Sequence, residues 1–371
     1  MSGAVSPLPS RVLMTTDAVG GVFTYAVDMA RGLGEAGVDV TLAVLGPGLS
    51  PDQAAQVAAL PSVELVVTGL TLDWMAEEPA LITAAGEAVA DLARRSRADL
   101  VHLNSPALAA CRAFDLPVVG VAHSCLATWW AAVRQGPMPE DFAWRTHLLS
   151  RGYFACDALV APSAAFAMAT ARRYGVAPPT VVHNGRRPAV KLDGGSRDRC
   201  VITGGRLWDE GKNIAALDAA AERLNAPVLA AGPLRSPAGD CATLKTIQPL
   251  GRLSESMMAA ALRRAPVFAS LALYEPFGLT VLEAAQAGCA LVLSDIPTFR
   301  ELWSGAAVLT PPGDELAAAA AIQALLDDPA EAGRLGAAAC RRAARFTPEA
   351  MVDGMLRVYA AVGGPAQEAV A

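Results

Sequence analysis

The sequence lacks the surplus of basic residues that nucleic-acid-binding proteins carry. Its 371 residues include 30 Lys and Arg against 36 Asp and Glu, which gives a net charge of -6. A protein that binds a polyanion normally presents a basic face. We therefore expect no nucleic-acid partner.

Long apolar segments are also missing. No uninterrupted apolar run reaches the roughly 18 residues that a membrane-spanning helix needs. The amino-terminal stretch MSGAVSPLPSRVLMTTD has no basic region leading into an apolar core, so it does not resemble a signal peptide. These absences predict a cytoplasmic protein without a transmembrane segment.

Cysteine and histidine are sparse and scattered. The seven cysteines form no Cys-x-x-Cys pair, and the four histidines show no metal-ligand spacing. This pattern predicts reduced thiols and no structural metal.

Short β-rich runs alternate with alanine-rich helical stretches along most of the chain. A first series runs through RVLMTT, VDVTLAVLG, VELVVTG, ADLVHLNS, LPVVGVAHS, ALVAPS and TVVHNG, and a second through CVITGG, APVLAAG, IQPLG, APVFASLAL, CALVLS and AAVLT. Such alternation predicts an α/β fold with doubly wound parallel sheets. Ligands of these sheets bind at the carboxyl ends of the strands.

The two series predict two domains with a cleft between their strand ends. Residues 184–199, NGRRPAVKLDGGSRDR, are rich in Gly, Pro and charge and read as a linker. We place an amino-terminal domain at 1–188, a carboxyl-terminal domain at 189–346 and a final helical segment at 347–371. A cleft between domains is a common ligand site.

The stretch EPFGLTVLEAAQAG holds two carboxylates, Glu275 and Glu283, on either side of a Phe277-Gly278 turn and a helix start. A helix start with unpaired N–H groups suits a phosphate. The two carboxylates could then accept hydrogen bonds from a sugar and a ribose on either side of it. Alternatively, Thr280 and Glu283 have the spacing of a capping box and serve only the helix.

The stretch RLWDEGKN places Arg206 and Lys212 in the loop and first turn that open another predicted helix. Two cations there oppose the helix dipole, which favours anions. A diphosphate pocket would explain them, since it combines the dipole with an arginine fork and a lysine. The alternative is a surface pair balanced by Asp209 and Glu210.

Gly20 and Gly21 follow the first strand without the Gly-x-Gly-x-x-Gly spacing, and no acidic residue ends the second strand. A nicotinamide dinucleotide is therefore not predicted. The two glycines form either a tight turn or a close backbone approach to a ligand. His123 lies just past a strand, where it is either a satisfied structural residue or a substrate contact.

For two further groups of side chains, the sequence allows two interpretations each. Trp129 and Trp130 belong to the core, or one of them stacks on a sugar. Arg94, Arg95 and Arg97 end a helix, where cations suit the dipole, and they are solvated or form a weak contact with anionic lipid headgroups.

Together these features resemble the GT-B glycosyltransferases of family 4, the group 1 enzymes that include glycogen synthases and mannosyltransferases. The similarity extends over nearly the whole chain and is strongest from Val201 to Asp314. Four blocks there follow the family's order: GGRLWDEGKN, GRLSESMMAAALRRA, EPFGLTVLEAAQAGCALVLSDIPTFREL and GAAVLTPPGD. The spaced pair Glu275 and Glu283 within this series is a specific signal.

The resemblance implies two Rossmann-like domains facing a central cleft, with the carboxyl-terminal helix crossing back to the first domain. It implies a retaining, metal-independent hexosyltransferase with a UDP-glucose or GDP-mannose type of donor. The acceptor could be a saccharide, a lipid-linked molecule or another small molecule. No cofactor is implied, because the nucleotide sugar is a substrate and UDP or GDP is the bound product.

The resemblance also assigns roles to individual residues. Glu275 holds sugar hydroxyls, Glu283 holds the ribose, and Arg206 and Lys212 bind the diphosphate. The remaining assignments are His123 near the reacting sugar, Gly20 and Gly21 facing the donor phosphate and acceptor, Arg252 and Leu253 at the base and ribose, and the backbone of Phe277, Gly278, Leu279 and Thr280 against sugar and phosphate. Attack on the front face, assisted by the donor's own phosphate, requires no protein base.

Two other interpretations remain open from the residues alone. The same architecture could serve a nucleotide-sugar epimerase or a sugar phosphorylase. The chain could also be a catalytically silent nucleotide-sugar-binding protein.

Overall fold

The computed structural model describes residues 8–189, 197–237 and 239–363. The chain divides into two compact units. The first consists of Met1–Trp130, Gly136–Gly185 and Pro348–Ala371, and the second of Ala131–Gln135 and Arg186–Thr347. Residues 190–196 of the predicted linker lie outside the described residues. So do residues 1–7 of the predicted amino-terminal domain and residues 364–371 of the predicted final helical segment.

The first unit contains a seven-stranded parallel sheet in the order β3-β2-β1-β4-β5-β6-β7. Its strands are β1 (Arg11–Asp17), β2 (Asp39–Leu45), β3 (Val63–Val67), β4 (Leu100–Leu103), β5 (Val118–Val121), β6 (Ala158–Ala161) and β7 (Thr180–Val181). The helices along this part of the chain are α1 (Gly21–Glu35), α2 (Pro51–Ala58), α3 (Pro79–Arg95), α4 (Leu126–Val133), α5 (Glu140–Ala155) and α6 (Ala164–Tyr174), with a 3₁₀ helix at Pro106–Cys111.

The second unit contains a six-stranded parallel sheet in the order β10-β9-β8-β11-β12-β13. Its strands are β8 (Val201–Gly204), β9 (Val228–Ala231), β10 (Gln248–Gly251), β11 (Val267–Ser270), β12 (Ala290–Ser294) and β13 (Ala307–Thr310). Its helices are α7 (Ile214–Ala221), α8 (Glu255–Arg264), α9 (Leu279–Gln286), α10 (Pro297–Trp303), α11 (Glu315–Asp327) and α12 (Pro329–Ala343), with a 3₁₀ turn at Glu210–Lys212.

Both sheets confirm the predicted α/β class, and their sequences show why. Every residue of β12, ALVLS, is buried, as expected for a parallel strand covered by helices on both faces. One predicted strand is shorter than expected: APVFASLAL pairs only from Val267 to Ser270. The residues after Ser270 instead form the loop that leads to Glu275.

Strand order reverses once in each sheet, beside the first strand of that sheet. The reversal falls between β1 and β4 in the first unit and between β8 and β11 in the second. In doubly wound sheets a crevice opens at the carboxyl ends of the two strands that flank such a reversal. The fold thus predicts one ligand-binding crevice in each unit, at the carboxyl ends of β1 and β4 and of β8 and β11.

The last helix, α13 (Pro348–Val362), packs within the first unit. Its buried residues Met351, Val352, Met355 and Tyr359 share one hydrophobic cluster with residues of β1 and α1. Across the described ranges, no helix combines the length and apolar character needed to cross a bilayer.

We expect Met355→Ala to lower the stability of the first unit by about 2–5 kcal/mol, because a fully buried side chain leaves a cavity in that cluster. Hydrogen exchange of β1 and α1 amides, read by mass spectrometry, would measure the loss. Met168→Ala is the matched control, since Met168 is 45% exposed in the same unit. Equal exchange in the two variants would contradict the packing of α13 against this core.

Candidate functional site

A partly buried ion pair lies beside the strand reversal of the second unit. Lys212 Nζ contacts Glu275 Oε2, and the two side chains are only 20% and 14% exposed. The residues are 63 positions apart in sequence. The structure therefore brings together a cation and an acid that the sequence analysis had assigned to one ligand.

Backbone hydrogen bonds explain how Lys212 reaches Glu275. The carbonyl of Gly211 accepts from the amides of Leu273 and Tyr274 at 2.9 and 3.2 Å, and Asn213 Nδ2 donates to the carbonyl of Leu271 at 3.1 Å. These bonds tie the 3₁₀ turn to the loop after β11. The predicted position of Lys212 inside a helical first turn was wrong, because the turn ends at Lys212 and α7 begins at Ile214.

Arg206 belongs to the same loop but pairs with Asp209. Arg206 Nη2 lies 3.0 Å from Asp209 Oδ2, and its guanidinium carbon lies 5.7 Å from the centre of the Trp208 ring. Buried Asp209 also accepts from the amide of Gly211 at 2.9 Å. The alternative interpretation, in which Asp209 and Glu210 balance the two cations, therefore holds for Arg206 and Asp209. Lys212 pairs with Glu275 instead of Glu210.

Helix α9 begins at Leu279 without a side-chain cap. Its N-cap is Gly278, which has a φ of 93° and no side chain to bond the first amides. A Cβ at this position would lie 3.4 Å from Glu275 Cγ, so the turn passes close to that acid. The capping-box alternative for Thr280 and Glu283 is therefore wrong, because the helix starts two residues before Thr280 could cap it.

Glu283 is held by Arg186. The Arg186 guanidinium contacts Glu283 through Nη1 and lies 2.6 Å from Glu255 through Nη2. Gln286 Nε2 also donates to the backbone carbonyl of Arg186 at 2.8 Å. Arg186 fell within the predicted linker, yet its side chain is only 12% exposed and fixes an acid of the candidate site.

The other predicted residues of the second unit take simpler positions. Phe277 is buried, and its ring packs edge-on against Phe346 with centroids 5.6 Å apart. Arg252 is exposed and Leu253 half-buried in the loop between β10 and α8. Thr280 lies half-buried in the first turn of α9.

In the first unit, Gly20 and Gly21 form the turn from β1 into α1. Gly20 is exposed, has a φ of 90° and precedes the first helical residue, Gly21. Asp17 braces the turn, because its carboxylate accepts from the Val19 amide at 2.7 Å. The turn lies at the strand reversal of this sheet.

His123 is joined to a buried polar network at the same strand ends. Its Nε2 lies 2.7 Å from Asn104 Oδ1, and Asn104 Oδ1 lies 3.1 Å from Nε2 of His102. Nδ1 of His102 lies 2.7 Å from the Tyr359 hydroxyl of α13. The Tyr25 ring packs edge-on against His123 with centroids 4.6 Å apart.

Burial keeps both imidazoles neutral. It lowers the pKa of His102 to about 4, although the Asn104 hydrogen bond opposes the shift. It lowers the pKa of His123 to about 3, and the neighbouring His102 adds to the effect. Part of His123 still reaches solvent, so an uncharged imidazole is available to a ligand near neutral pH.

The tryptophans and the arginine cluster lie elsewhere on the first unit. Trp129 and Trp130 are both half-buried and flank Phe142, with ring centroids 6.4 and 5.6 Å away. Arg94 and Arg95 pair with Asp91, and Arg94 also pairs with Asp115. Acidic neighbours thus offset much of the charge that the anionic-lipid interpretation required.

Sequence reasoning missed Arg186, Asn104, His102 and Tyr359. His102 carried a signal, since it is the polar residue inside the apolar strand LVHL. Arg186 and Tyr359 carried none, because their partners lie 97 and 257 positions away along the chain. Asn104 lies only two residues after His102, but its bonds to Thr15 join residues 89 positions apart. Within the described ranges, no group of three or more His, Cys, Asp or Glu side chains is arranged to hold a metal ion.

Two family models match the chain in succession. The model for Glycosyltransferase Family 4 matches residues 19–189, and the model for Glycosyl transferases group 1 matches residues 197–342. The chain belongs to this family of glycosyltransferases, which confirms the resemblance seen in the sequence motifs.

Curated relatives agree over part of the chain. A phosphatidyl-myo-inositol mannosyltransferase of Mycolicibacterium smegmatis is 33% identical over 187 residues, 47% of this chain and 48% of that protein. A glycogen synthase of Mycobacterium tuberculosis is 36% identical over 121 residues, 32% of this chain and 29% of that protein. The matches span about half the length of these relatives or less.

Solved structures share the fold. Sucrose-phosphate synthase from Thermosynechococcus elongatus has a TM-score of 0.76 at 20% identity, with 94% of this chain and 98% of that one covered. Anabaena HepE in complex with UDP-glucose has a TM-score of 0.71 at 16% identity, covering 95% and 99%. The chain therefore has the GT-B fold.

We expect His102 to make the folded protein less stable as the pH falls. An unfolded histidine titrates near pH 6.5 and the folded one near 4, so between these values the unfolded state binds more protons. Stability should fall as the pH drops through this window, by on the order of 3 kcal/mol for His102. Urea unfolding between pH 4 and 7 would measure the slope.

His102→Gln should make that slope shallower, whatever it does to stability at pH 7. His147→Gln is the matched control, because His147 is exposed on α5, and it should keep the slope of the unmodified protein. A slope unchanged by His102→Gln would contradict the neutral buried state of this ring.

Proposed function

We propose that this protein is a retaining hexosyltransferase that moves a sugar from a nucleotide-sugar donor to an acceptor. The observation that carries the proposal is the partly buried pair of Lys212 and Glu275 at a strand reversal, next to the uncapped start of α9. Family membership supports the reaction class, and the residues supply a chemical route.

The first step of that route is stabilisation of the leaving diphosphate. As the bond from the sugar to the diphosphate breaks, negative charge grows on the phosphate oxygens. Lys212 and Arg206 provide two cations, and the first amides of α9 provide hydrogen-bond donors and the positive end of a dipole. We propose that this set neutralises the leaving group without a metal ion.

Glu275 has a separate role toward the sugar. In the free protein its carboxylate is neutralised by Lys212. A bound diphosphate would attract Lys212 and leave the carboxylate free to accept hydrogen bonds from sugar hydroxyls. We assign Glu283 to the ribose, where Arg186 holds one of its oxygens, and we propose His123 as a contact of the reacting sugar.

The proposed donor is UDP-glucose or GDP-mannose. The relatives named above include a mannosyltransferase and a glycogen synthase, and one neighbouring structure contains UDP-glucose. A thermal-shift series with UDP, GDP, ADP and their sugars decides between the nucleotides, because a ligand that binds the folded state raises the melting temperature by mass action.

Lys212→Ala and Glu275→Gln should each lower donor turnover at least 100-fold while the protein remains folded, because each removes a group that acts on the reacting atoms. Release of nucleoside diphosphate from the donor is the measurement, and circular dichroism checks folding. Lys245→Ala and Glu222→Gln are matched controls, since both side chains are exposed in the same unit. Near-normal turnover in either test variant would refute the assignment.

The same assays separate the other interpretations. Donor conversion without release of nucleoside diphosphate would indicate an epimerase. Phosphate-dependent release of a sugar phosphate would indicate a phosphorylase. Donor binding without turnover in the presence of saccharide and lipid-linked acceptors would indicate a binding protein.

Arg186→Ala should weaken UDP or GDP binding about 10-fold, because a hydrogen bond to a charged group contributes about 1.5–3 kcal/mol. The loss should be smaller for the 2′,3′-dideoxy nucleotide, which offers Glu283 no ribose hydroxyl. Titration calorimetry gives both affinities. Glu255→Gln is the control, since this partner of Arg186 is half exposed; equal losses for both nucleotides would contradict the ribose assignment.

A further inference from the structure

The orientation of the Asn104 side chain is fixed by its contacts with Thr15. Asn104 Nδ2 lies 2.7 Å from the backbone carbonyl of Thr15, which can only accept a hydrogen bond. The backbone N–H of Asn104 also donates to Thr15 Oγ1 at 3.0 Å. These two bonds bridge β1 and β4 and leave the amide oxygen Oδ1 facing the two histidines.

That oxygen determines where the histidine protons lie. An amide oxygen has two lone pairs and no proton, so a ring nitrogen that bonds to it must donate. Nε2 of His102 and Nε2 of His123 both lie within hydrogen-bonding distance of Oδ1, at 3.1 and 2.7 Å. Each neutral ring has one N–H, so both rings have a bare Nδ1.

The far end of the network agrees with this arrangement. Nδ1 of His102 must accept, and the Tyr359 hydroxyl at 2.7 Å is placed to donate. His102 and Tyr359 are both fully buried, so neither can exchange this partner for water. The direction of every hydrogen bond from Tyr359 to His123 is therefore determined.

Nδ1 of His123 is the open end. Within the described residues it has no hydrogen-bond partner, while the edge-on Tyr25 ring limits rotation of the imidazole. His123 also differs from His102 in reaching solvent. The ring thus presents a lone pair, and no N–H, at its free nitrogen.

We propose that Asn104 is a positioning residue that holds His123 as the neutral Nε2–H tautomer, so that Nδ1 accepts a hydrogen bond from a hydroxyl of the bound sugar. The tautomer follows from the network alone. The choice of a sugar hydroxyl as ligand rests on the proposed function. In this arrangement His123 cannot donate a proton from Nδ1 and acts as an acceptor.

Nitrogen-15 NMR of the full chain with labelled histidine tests the tautomer. Only His102, His123, His147 and His183 contribute signals, and single Gln substitutions assign them. At pH 7 we expect His102 and His123 to show a protonated Nε2 and a bare Nδ1. A His123 ring that is protonated at Nδ1, or at both nitrogens, would overturn the proposal without any reference to activity.

Substitution of Asn104 tests its positioning role. Asn104→Leu removes the acceptor, and the His123 signals should move toward the average of two exchanging tautomers. Asn104→Asp keeps an acceptor oxygen but places a carboxylate beside both rings, and its charge should raise the pKa of His123. If Asn104→Leu does not fold, Asn104→Asp still provides the test, because a His123 titration unchanged in that variant would show that residue 104 does not bond to the ring. A Leu variant with an unmoved His123 spectrum would exclude Asn104 as the cause.

Titration with UDP-glucose and GDP-mannose tests the sugar contact at His123 Nδ1 separately from the tautomer of the ring. If either binds by thermal shift and the His123 Nδ1 signal moves more than with UDP or GDP alone, the sugar contact is supported. Donor binding without that difference would remove the hydroxyl contact and leave the proposed function standing. Absence of any donor binding would contradict the proposed function, while the tautomer result would be unaffected.

Discussion

Parallel winding of each sheet is the constraint on which the rest of the structure depends. Because β8 and β11 are neighbours with parallel directions, the loops after both strands open at the same edge. One loop carries Arg206 and Lys212, and the other carries Glu275. The reversal between β1 and β4 has the same effect in the first unit, where Thr15 and Asn104 meet across it. Residues far apart in sequence thus meet without any special local structure.

The side chains around Lys212 and Glu283 in the second unit differ in charge from those around Asn104 in the first. Those of the second unit are ionised and paired: Lys212 with Glu275, Arg206 with Asp209, and Arg186 with Glu283. Pairing lets partly buried charges persist without a ligand, since an isolated buried charge is costly. His123, Asn104 and His102 in the first unit are neutral and joined by hydrogen bonds. The two sets of side chains thus differ in kind: ion pairs in the second unit, and hydrogen bonds between neutral groups in the first.

The sequence predicted the architecture well because strand periodicity and helix-forming segments are local properties. It also singled out Lys212, Glu275 and the turn at Gly278, which the structure places together, since each belongs to a short motif with a chemical rationale. It failed where a contact depends on distant residues. Tyr359 reaches His102 across 257 positions, and Arg186 reaches Glu283 across 97. Arg186 lies in a segment rich in Gly, Pro and charge, which is typical of a linker, and only its pairing with Glu283 shows that it has a structural role.

The polar network of the first unit is better explained by geometry than by stability. Burying His102 and Tyr359 removes their hydration, and the hydrogen bonds that replace it add little net free energy. Apolar side chains of similar size could fill the same space at no greater cost. The Tyr25 hydroxyl, buried beside the network without a hydrogen-bond partner among the described residues, adds a further penalty. The network instead sets a single donor-to-acceptor direction for each of its hydrogen bonds. Of the side chains in it, His102, Asn104 and Tyr359 are buried, and His123 is the one that reaches solvent.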